Sequence, residues 1–410
     1  MWTPKPSPAS APQAIRVGPR GGHVRGTDHH AIQQALDLAR RVGAREVRLA
    51  PGTYVCADSV RLVSGVVLTG TGEDTVLTRP DPVERPVLRS VNHYERVVAV
   101  EDPAAFPVGT GIHLEGRHWP TERPIVRQAS VLAHTDKGLV IDRPYAGDNF
   151  WLEVGPVVVR NTVPVVGGED VAHTGLAHLR VDGRGDDAGT HVTRGACVYL
   201  WHCRDVDFRA VTAHHAGADG IGFEVCEDVR AEGCTCHHCF MAMHAGSGSL
   251  RMRVRDCRLY ENARGFYFCW GIQQGELADC TMEGNAQYGI SIGFHDSHNA
   301  VRRCTVRGNG QVGLEVRAGH YPTQSPVDDL VEGCRIEDNG PADAPLGVRI
   351  DSAADEIELR ENAIRESRAN GPRGTGVRIA EGVGAVRMAD NRISGFAHPV
   401  EDLRPADKRR

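Results

Sequence analysis

A phrase of roughly two dozen residues recurs through the second half of the chain, and it restricts what the chain can fold into. Each copy reads as an alternating apolar/polar strand, a Cys, an Asn five residues later, and a Gly that opens another strand. DCRLYENARGFYFCWG from Asp256, DCTMEGNAQYGISIGF from Asp279, RCTVRGNGQVGLEVRAG from Arg303 and GCRIEDNGPADAPLGVRID from Gly333 are the clearest copies, with looser ones near Val206, Val229, Ile357 and Val386. A unit this short cannot bury an apolar face alone, but a stack of such units can, so the period implies a solenoid. Alternation with period two specifies strands. The copies leave no room for crossover helices, so each coil is expected to close as short parallel strands.

The copies align on the Gly that opens the last strand: Gly220, Gly265, Gly289, Gly313, Gly347 and Gly376, with Phe240 taken for that place in one coil. Residues one and three places on are apolar in every coil, from Ile221 and Phe223 to Val377 and Ile379, and form the expected inner face. The alternate places face out: Glu224, His244, Tyr267, Cys269, Ser291, Gly293, Glu315, Arg317, Arg349, Asp351 and Arg378. Of the twelve Cys, five (Cys234, Cys257, Cys280, Cys304 and Cys334) share one column. They are expected to form an interior ladder of free thiols rather than disulfides, which suits a reducing compartment. Asn262, Asn285, Asn309 and Asn339 share a turn column, where Asn tolerates left-handed backbone and can bond the next coil.

The N-terminal part has a different texture. Residues 29–42 carry Ile32, Ala35, Leu36 and Ala39 at helical spacing behind Asp28, a good N-cap. Such a helix would cover the open end of a stack of strands. EVRLAPGTY from Glu46 and SVRLVSGVVLTGTG from Ser59 follow as strands. A helix, then V-x-L-x-P-G-T-Y, then an apolar strand ending T-G-x-G resembles the N-terminal segment of pectate-lyase-like right-handed parallel β-helix proteins. The resemblance covers residues 28–80 and 170–397. It implies an all-β solenoid, a right-handed parallel β-helix, and a saccharide partner, because that superfamily holds polysaccharide lyases, polygalacturonase-type hydrolases, sugar epimerases and phage tailspikes. It specifies fold far more than chemistry. Residues 90–165 break the rhythm with Pro- and Gly-bounded strands and are expected to be an inserted β subdomain. The expected order is an N-terminal extension (1–27), capping helix and first coils (28–89), the insertion (90–165), the main stack (166–400) and a frayed charged tail (401–410).

A solenoid's outward strand column makes a groove suited to a chain-like ligand. In the middle coils that column departs from what stacking requires, and such exceptions point to function. FHDSHN, from Phe294 to Asn299, stands one coil before Glu315 and Arg317. Asp296 and Glu315 are therefore expected roughly 5–8 Å apart, a separation that serves glycoside cleavage by paired carboxylates. His295 is expected to assist proton transfer and His298 to bind substrate. The alternative is a polar turn beside a surface ion pair. Glu224 and His244 are read as neighbours at one outward place, the carboxylate orienting the imidazole as a base. Tyr267 and Trp270 offer sugar platforms, Arg317 holds substrate, and Asp219 is either a turn residue or a groove acid. Cys269 is a nucleophile candidate without an evident base. CTCHHC, from Cys234 to Cys239, matches no standard zinc spacing. With His214 and His215 in the previous coil, it reads as stacked turn histidines, with no metal or cofactor expected.

The leading expectation is a carbohydrate-active enzyme that hydrolyses a glycosidic linkage, with Asp296, Glu315, His244 and His295 catalytic and Glu224, Tyr267, Trp270, Arg317 and His298 binding substrate. The alternatives are β-elimination or epimerisation of a uronide, and a non-catalytic saccharide-binding solenoid. There is no G-H-G or R-I-K of polygalacturonases, and only Lys5, Lys137 and Lys408 are present, so no Lys base lies in the coils. A net charge of −6 does not indicate a nucleic-acid partner, and no apolar run is long enough to span a membrane. Met1 to Ala11 is Pro/Ser-rich without the apolar stretch of a secretory signal. The expected location is cytoplasmic if the chain is complete as it stands, and outside the cell if a signal has been removed.

Overall fold

A computed structural model describes residues 13–144, 149–185, 195–319, 321–351, 353–368 and 371–409. Among the described residues, thirty-one strands join in one sheet in which all the pairings are parallel. In the later coils each turn of the chain contributes three short strands, and each strand pairs with its counterpart one coil on. Thus Glu276–Ala278 pairs with Ala300–Arg302, Thr281–Glu283 with Thr305–Arg307, and Tyr288–Ile292 with Val312–Val316. The inner residues meet in a single core running from Ile15 to Phe396. Ile290, Ile292, Leu314, Val316, Val348 and Ile350 are fully buried in it, as their period-two placement requires.

The corners hold the polar ladders that the Cys and Asn columns anticipate. Cys234, Cys257, Cys280, Cys304 and Cys334 are buried and free. Asn362 and Asn391 continue their column, Asn362 Oδ1 accepting from Cys334 N at 2.9 Å. In the other column Asn262, Asn285, Asn309 and Asn339 link side chain to side chain at 2.9–3.0 Å. Asn is needed there because each amide must both give and take. Asn309 Nδ2 donates to Met282 O and Asn339 Oδ1, while its Oδ1 accepts from Asn285 N and Asn285 Nδ2. Asn309→Ala leaves those buried partners unpaired, at about 1–3 kcal/mol for each orphaned group. A fall in the urea midpoint with an unchanged slope is the expected result, and an unchanged midpoint would count against a structural role for the ladder.

Helix α1 (His29–Val42) forms as its sequence indicates. Asp28 Oδ1 accepts from Ala31 N at 2.9 Å, Gly43 closes the C-terminus at φ 76°, and Ile32, Ala35, Leu36 and Ala39 are buried against the first coils. The stack begins earlier than the patterning indicates. Ala14–Gly18, placed by the sequence in an extension, pairs with Glu46–Leu49 and forms an end rung beneath α1. At the other end His398–Asp402 pairs with Thr375–Ile379. Arg404, expected in a frayed tail, is instead buried and bonds Asp402 and Gly384 O.

The chain leaves the stack after Thr75–Thr78 and returns so that Ala172–Asp182 pairs with both Val67–Thr69 and Thr75–Thr78. Between them lies a six-stranded antiparallel sheet with its own core around Phe106, Ile112, Leu114, Phe150 and Val159. This second sheet is fastened to the coils through Gly111 N to Ala57 O (2.8 Å) and Gln128 Nε2 to Ser59 Oγ (2.9 Å).

Candidate active site

Alternation along the strands that follow the turn carries one row of side chains outward. Its register runs Arg61, Gly167, Tyr199, Gly222, His244, Tyr267, Ser291, Glu315, Arg349 and Arg378. Outward residues of a solenoid are ordinarily wet. Here His244, Ser291 and Glu315 are buried, so the middle coils carry a packed polar cluster. Such a cluster costs stability unless its members satisfy one another.

The expected pairing of Glu224 with His244 is corrected by the register. His244 pairs with Gly222, and Glu224 pairs with Gly246. The ladder shifts between Ala216 and Asp219, so that Ala242, not Phe240, takes the place of Gly220. This offset aims Asp219 at His244, with Oδ2 2.9 Å from Nδ1. Asp219 is completely buried and His244 is 5% exposed, so the pair is shut off from bulk water on the Asp219 side. Glycines make the space. A Cβ on Gly222 would stand 2.6 Å from Asp219 Oδ2, and one on Gly246 would meet Glu224 Cγ at 2.7 Å and His244 Nε2 at 3.1 Å. Gly293 does the same for Arg317, whose Nε and Cζ would lie 2.8 and 2.9 Å from a Cβ there.

Burial works against the imidazolium of His244. The charge and hydrogen bond of Asp219 outweigh it, Cys269 adds to the rise, and the pKa is raised to about 10. Burial pushes the Asp219 carboxyl up, and the imidazole opposes that rise. His244 Nε2 is buried over Gly246 and makes no well-formed hydrogen bond. Tyr267 stands on the next rung, ring centroid 5.4 Å from that of His244. Burial raises its phenol to about 12 despite Arg317 and Arg264, which pull the other way. The Arg317 guanidinium lies 4.2 Å over the Tyr267 ring and donates to Phe268 O (2.8 Å) and to Ser291 Oγ. Arg264 approaches the same ring at 5.6 Å. The cluster thus joins a His–carboxylate pair, a neutral phenol and two guanidinium groups.

Cys269 follows Gly246 in register, one rung beyond the glycine over which His244 Nε2 lies. It is the one partly exposed thiol of the twelve. Iodoacetamide is expected to label the native protein at Cys269 alone, and all twelve cysteines only after denaturation. Peptide mapping that finds the corner-column thiols labelled first would contradict this placement.

The other sequence-nominated residues fall in different places. Asp296 is fully buried beneath the face and accepts from Gly271 N (3.0 Å), Ile272 N (2.9 Å) and Gly293 N (2.7 Å). Its groove position is thereby corrected. Phe294 and His295 take left-handed backbone (φ 48° and 68°), and the tight turn folds the carboxylate inward. Burial outweighs the three donors and lifts Asp296 to about 7. Arg317 Nη2 is 4.0 Å from it. Glu315 is on the row, buried, and bonded to Ser291 Oγ and Arg349. Trp270 and His295 line a separate hollow of about 350 Å³ with Phe294 and Gln324. His298 does not reach the row; it sits at another corner, bonded to Asp328 at 2.8 Å.

The turn histidines stack as expected, His214 on His237 (5.0 Å) and His215 on His238 (4.9 Å). Asp182, His214 and His215 gather their ligand atoms within 4.8 Å. Burial, with Arg180 and neighbouring histidines, outweighs Asp182 and lowers His214 to about 4. Arg180 Nη2 lies 3.0 Å from His214 Nε2, a positive charge that opposes a cation in this cluster.

Residues 196–364 match the family model for the right handed beta helix region. The structure is similar to the A-module of the Azotobacter vinelandii mannuronan C-5 epimerase AlgE6, at 17% identity and TM-score 0.53, over 92% of each chain. The AlgE4 A-module of the same organism matches at 15% identity and TM-score 0.54, over 92% of this chain and 94% of that one. The fold is a right-handed parallel β-helix. ORF18 of Geobacillus virus E2 shares this β-helix at 12% identity and TM-score 0.53, over 92% of this chain and 60% of that one. No curated protein matches the sequence. At these identities the likeness fixes the β-helix and leaves its chemistry to the residues themselves.

Two members of the cluster escaped the sequence reading, Arg264 and the role of Asp219 behind His244. A signal for Asp219 was present. Gly265 follows Cys257 by eight residues, and the same count from Cys234 lands on Ala242. That alignment sets His244 beside Gly222 and brings Asp219 under it.

Proposed function

We propose that this β-helix is a carbohydrate-active enzyme that removes the C5 proton of a uronide, as a lyase or an epimerase. The observation that carries the reading is His244. Its Nδ1 is held by a fully buried carboxylate, while its buried Nε2 lies over Gly246 without a well-formed hydrogen bond, next to the Cys269 rung. A base so held can accept a proton at Nε2 while Asp219 stabilises the resulting imidazolium.

The carboxylate of the sugar ring pairs with Arg317, whose charge favours the developing enediolate. The C5–H bond breaks, its proton passes to His244 Nε2, and the electron pair moves into the carboxylate. Tyr267, a neutral phenol well below its raised pKa, is the proton donor. If its proton goes to the C4 leaving oxygen as the C4–O bond breaks, the product is an unsaturated uronide. If a proton returns to C5 from the opposite face, the product is the epimer. The two neighbouring A-modules are mannuronan C-5 epimerases by name, which favours a uronide polymer as substrate. Hydrolysis by Asp296 and Glu315 has less support, because Asp296 is committed to three backbone donors beneath the groove.

Incubation with a panel of polyuronides in D2O tests this directly. Deuterium at C5 by NMR reports epimerisation, and new absorbance from an unsaturated uronate reports elimination. Reducing-end release with neither signal would replace the proposal with hydrolysis. Binding without any turnover would leave a saccharide-binding solenoid.

A further inference from the structure

A second hollow lies upstream of His244. A cavity of about 660 Å³ lies between the inserted sheet and the first coils, a size ordinary for ligand sites (roughly 300–1,000 Å³). We infer that it is a subsite for the acidic sugar units that precede the reacting one, an inference that rests on the proposed uronide chemistry.

Its floor belongs to the row that carries His244. Arg61, Gly167 and Tyr199 are successive rungs, followed by Gly222 and then His244. Tyr199 is therefore about 10 Å upstream of His244 at the usual interstrand spacing. A polymer lying along the rungs passes from the cavity to the base without turning. Arg61 comes from the floor, Arg127 from strand Pro124–Thr135 of the inserted sheet, and Arg143 from beyond its next strand. The bond of Gln128 to Ser59 and that of Ser130 Oγ to Asp58 Oδ2 (2.5 Å) fix this wall against the coils. Arg61 contacts Asp58 through Nη2 and Arg143 contacts Asp142 through Nε, one edge of a five-donor group in each case. Glu169 and Asp170 also line the cavity; both are exposed, and Asp170 is bonded to His202 Nδ1. The guanidinium forks suit sugar carboxylates, and Trp201 with Tyr199 offers a face for the ring.

The floor is kept clear where packing does not demand it. At Gly168 a Cβ would strike Leu200 Cδ2 at 2.8 Å, so that glycine serves the fold. At Gly167 a Cβ would meet nothing closer than 3.8 Å. The fold accepts a side chain at Gly167; an occupied cavity would not.

The test compares the wild type with Gly167→Phe, which fills the cavity, and with the Arg127→Ala/Arg143→Ala double variant, each checked for an unchanged melting profile. On oligouronides of increasing length, both variants are expected to lose kcat/KM through KM. The loss should grow with chain length and exceed tenfold on the longest. A loss equal at every length, or none, overturns the subsite while leaving the reaction at His244 standing. Calorimetric titration with an acidic oligosaccharide and its carboxyl-reduced counterpart separates the two ideas. At least tenfold tighter binding of the acid by the wild type, abolished in the double variant, upholds the subsite even if no uronide is turned over. Equal affinities overturn it.

Discussion

His244→Ala is expected to lower turnover of the uronide substrate by roughly 10²–10⁴-fold, the range for removal of a positioned general base. The pH profile tells a catalytic role from a structural one. The folded-state pKa of His244 is raised to about 10, so the imidazolium predominates at neutral pH and the base form grows as pH rises. Wild-type kcat should therefore climb about tenfold per unit towards an alkaline plateau, and the alanine variant should lack this limb. Asp219→Asn sharpens the test. Without the carboxylate, burial is opposed chiefly by the smaller contribution of Cys269, and the pKa falls. The limb should move to lower pH, with a lower plateau because the imidazolium has lost its counter-charge. A variant that merely loosens the strand would scale the whole curve down without moving it. Full activity in a folded His244→Ala protein, or an Asp219→Asn profile with an unmoved limb, would remove His244 from the mechanism.

That His244, Tyr267, Glu315 and Arg317 share one neighbourhood was legible in the chain because strand alternation has a period of two. Parity alone assigns each residue to the inner or outer side. Depth within the outer side was not legible. Asp296 lies in a run as polar as any in the groove, yet two successive left-handed residues turn its carboxylate under the floor. Nothing in the letters H-D-S-H-N states that direction. The contact of Asp219 with His244 depends on a one-residue irregularity in a parallel ladder, and a misplaced alignment point moved Glu224 into its role. The glycines carried a signal that periodicity overlooks. Gly222, Gly246 and Gly293 stand at outward places, and at each the side chain of Asp219, of Glu224 and His244, or of Arg317 lies where a Cβ would be. The docking of the inserted sheet involves pairs far apart along the chain, such as Ser59 with Gln128, which no local pattern encodes.

The second large effect concerns Arg317. Its side chain is 13% exposed, lies over Gly293 and Tyr267, and is held by Phe268 O and Ser291. A guanidinium this well anchored loses little entropy on meeting a carboxylate, and a half-dry site strengthens the pairing. If it neutralises the substrate acid in the transition state, Arg317→Ala should cost roughly 10²–10³-fold in kcat/KM, the scale found when one preorganised donor is removed. Lysine should restore only part of this, because a point charge on a flexible stem cannot reproduce the fork or the stack on Tyr267. The substrate supplies the control. The wild type should prefer a free uronate over its methyl ester, since the ester has no charge for Arg317 to meet, and Arg317→Ala should treat the two nearly alike. Arg317 also holds the Tyr267 phenol down against the rise caused by burial, so the variant's phenol pKa should move further up in a spectrophotometric titration. Loss of activity with ester discrimination intact would mean that Arg317 supports Tyr267 and leaves the substrate carboxylate to another cation, with Arg264, 5.6 Å from the same ring, next in line.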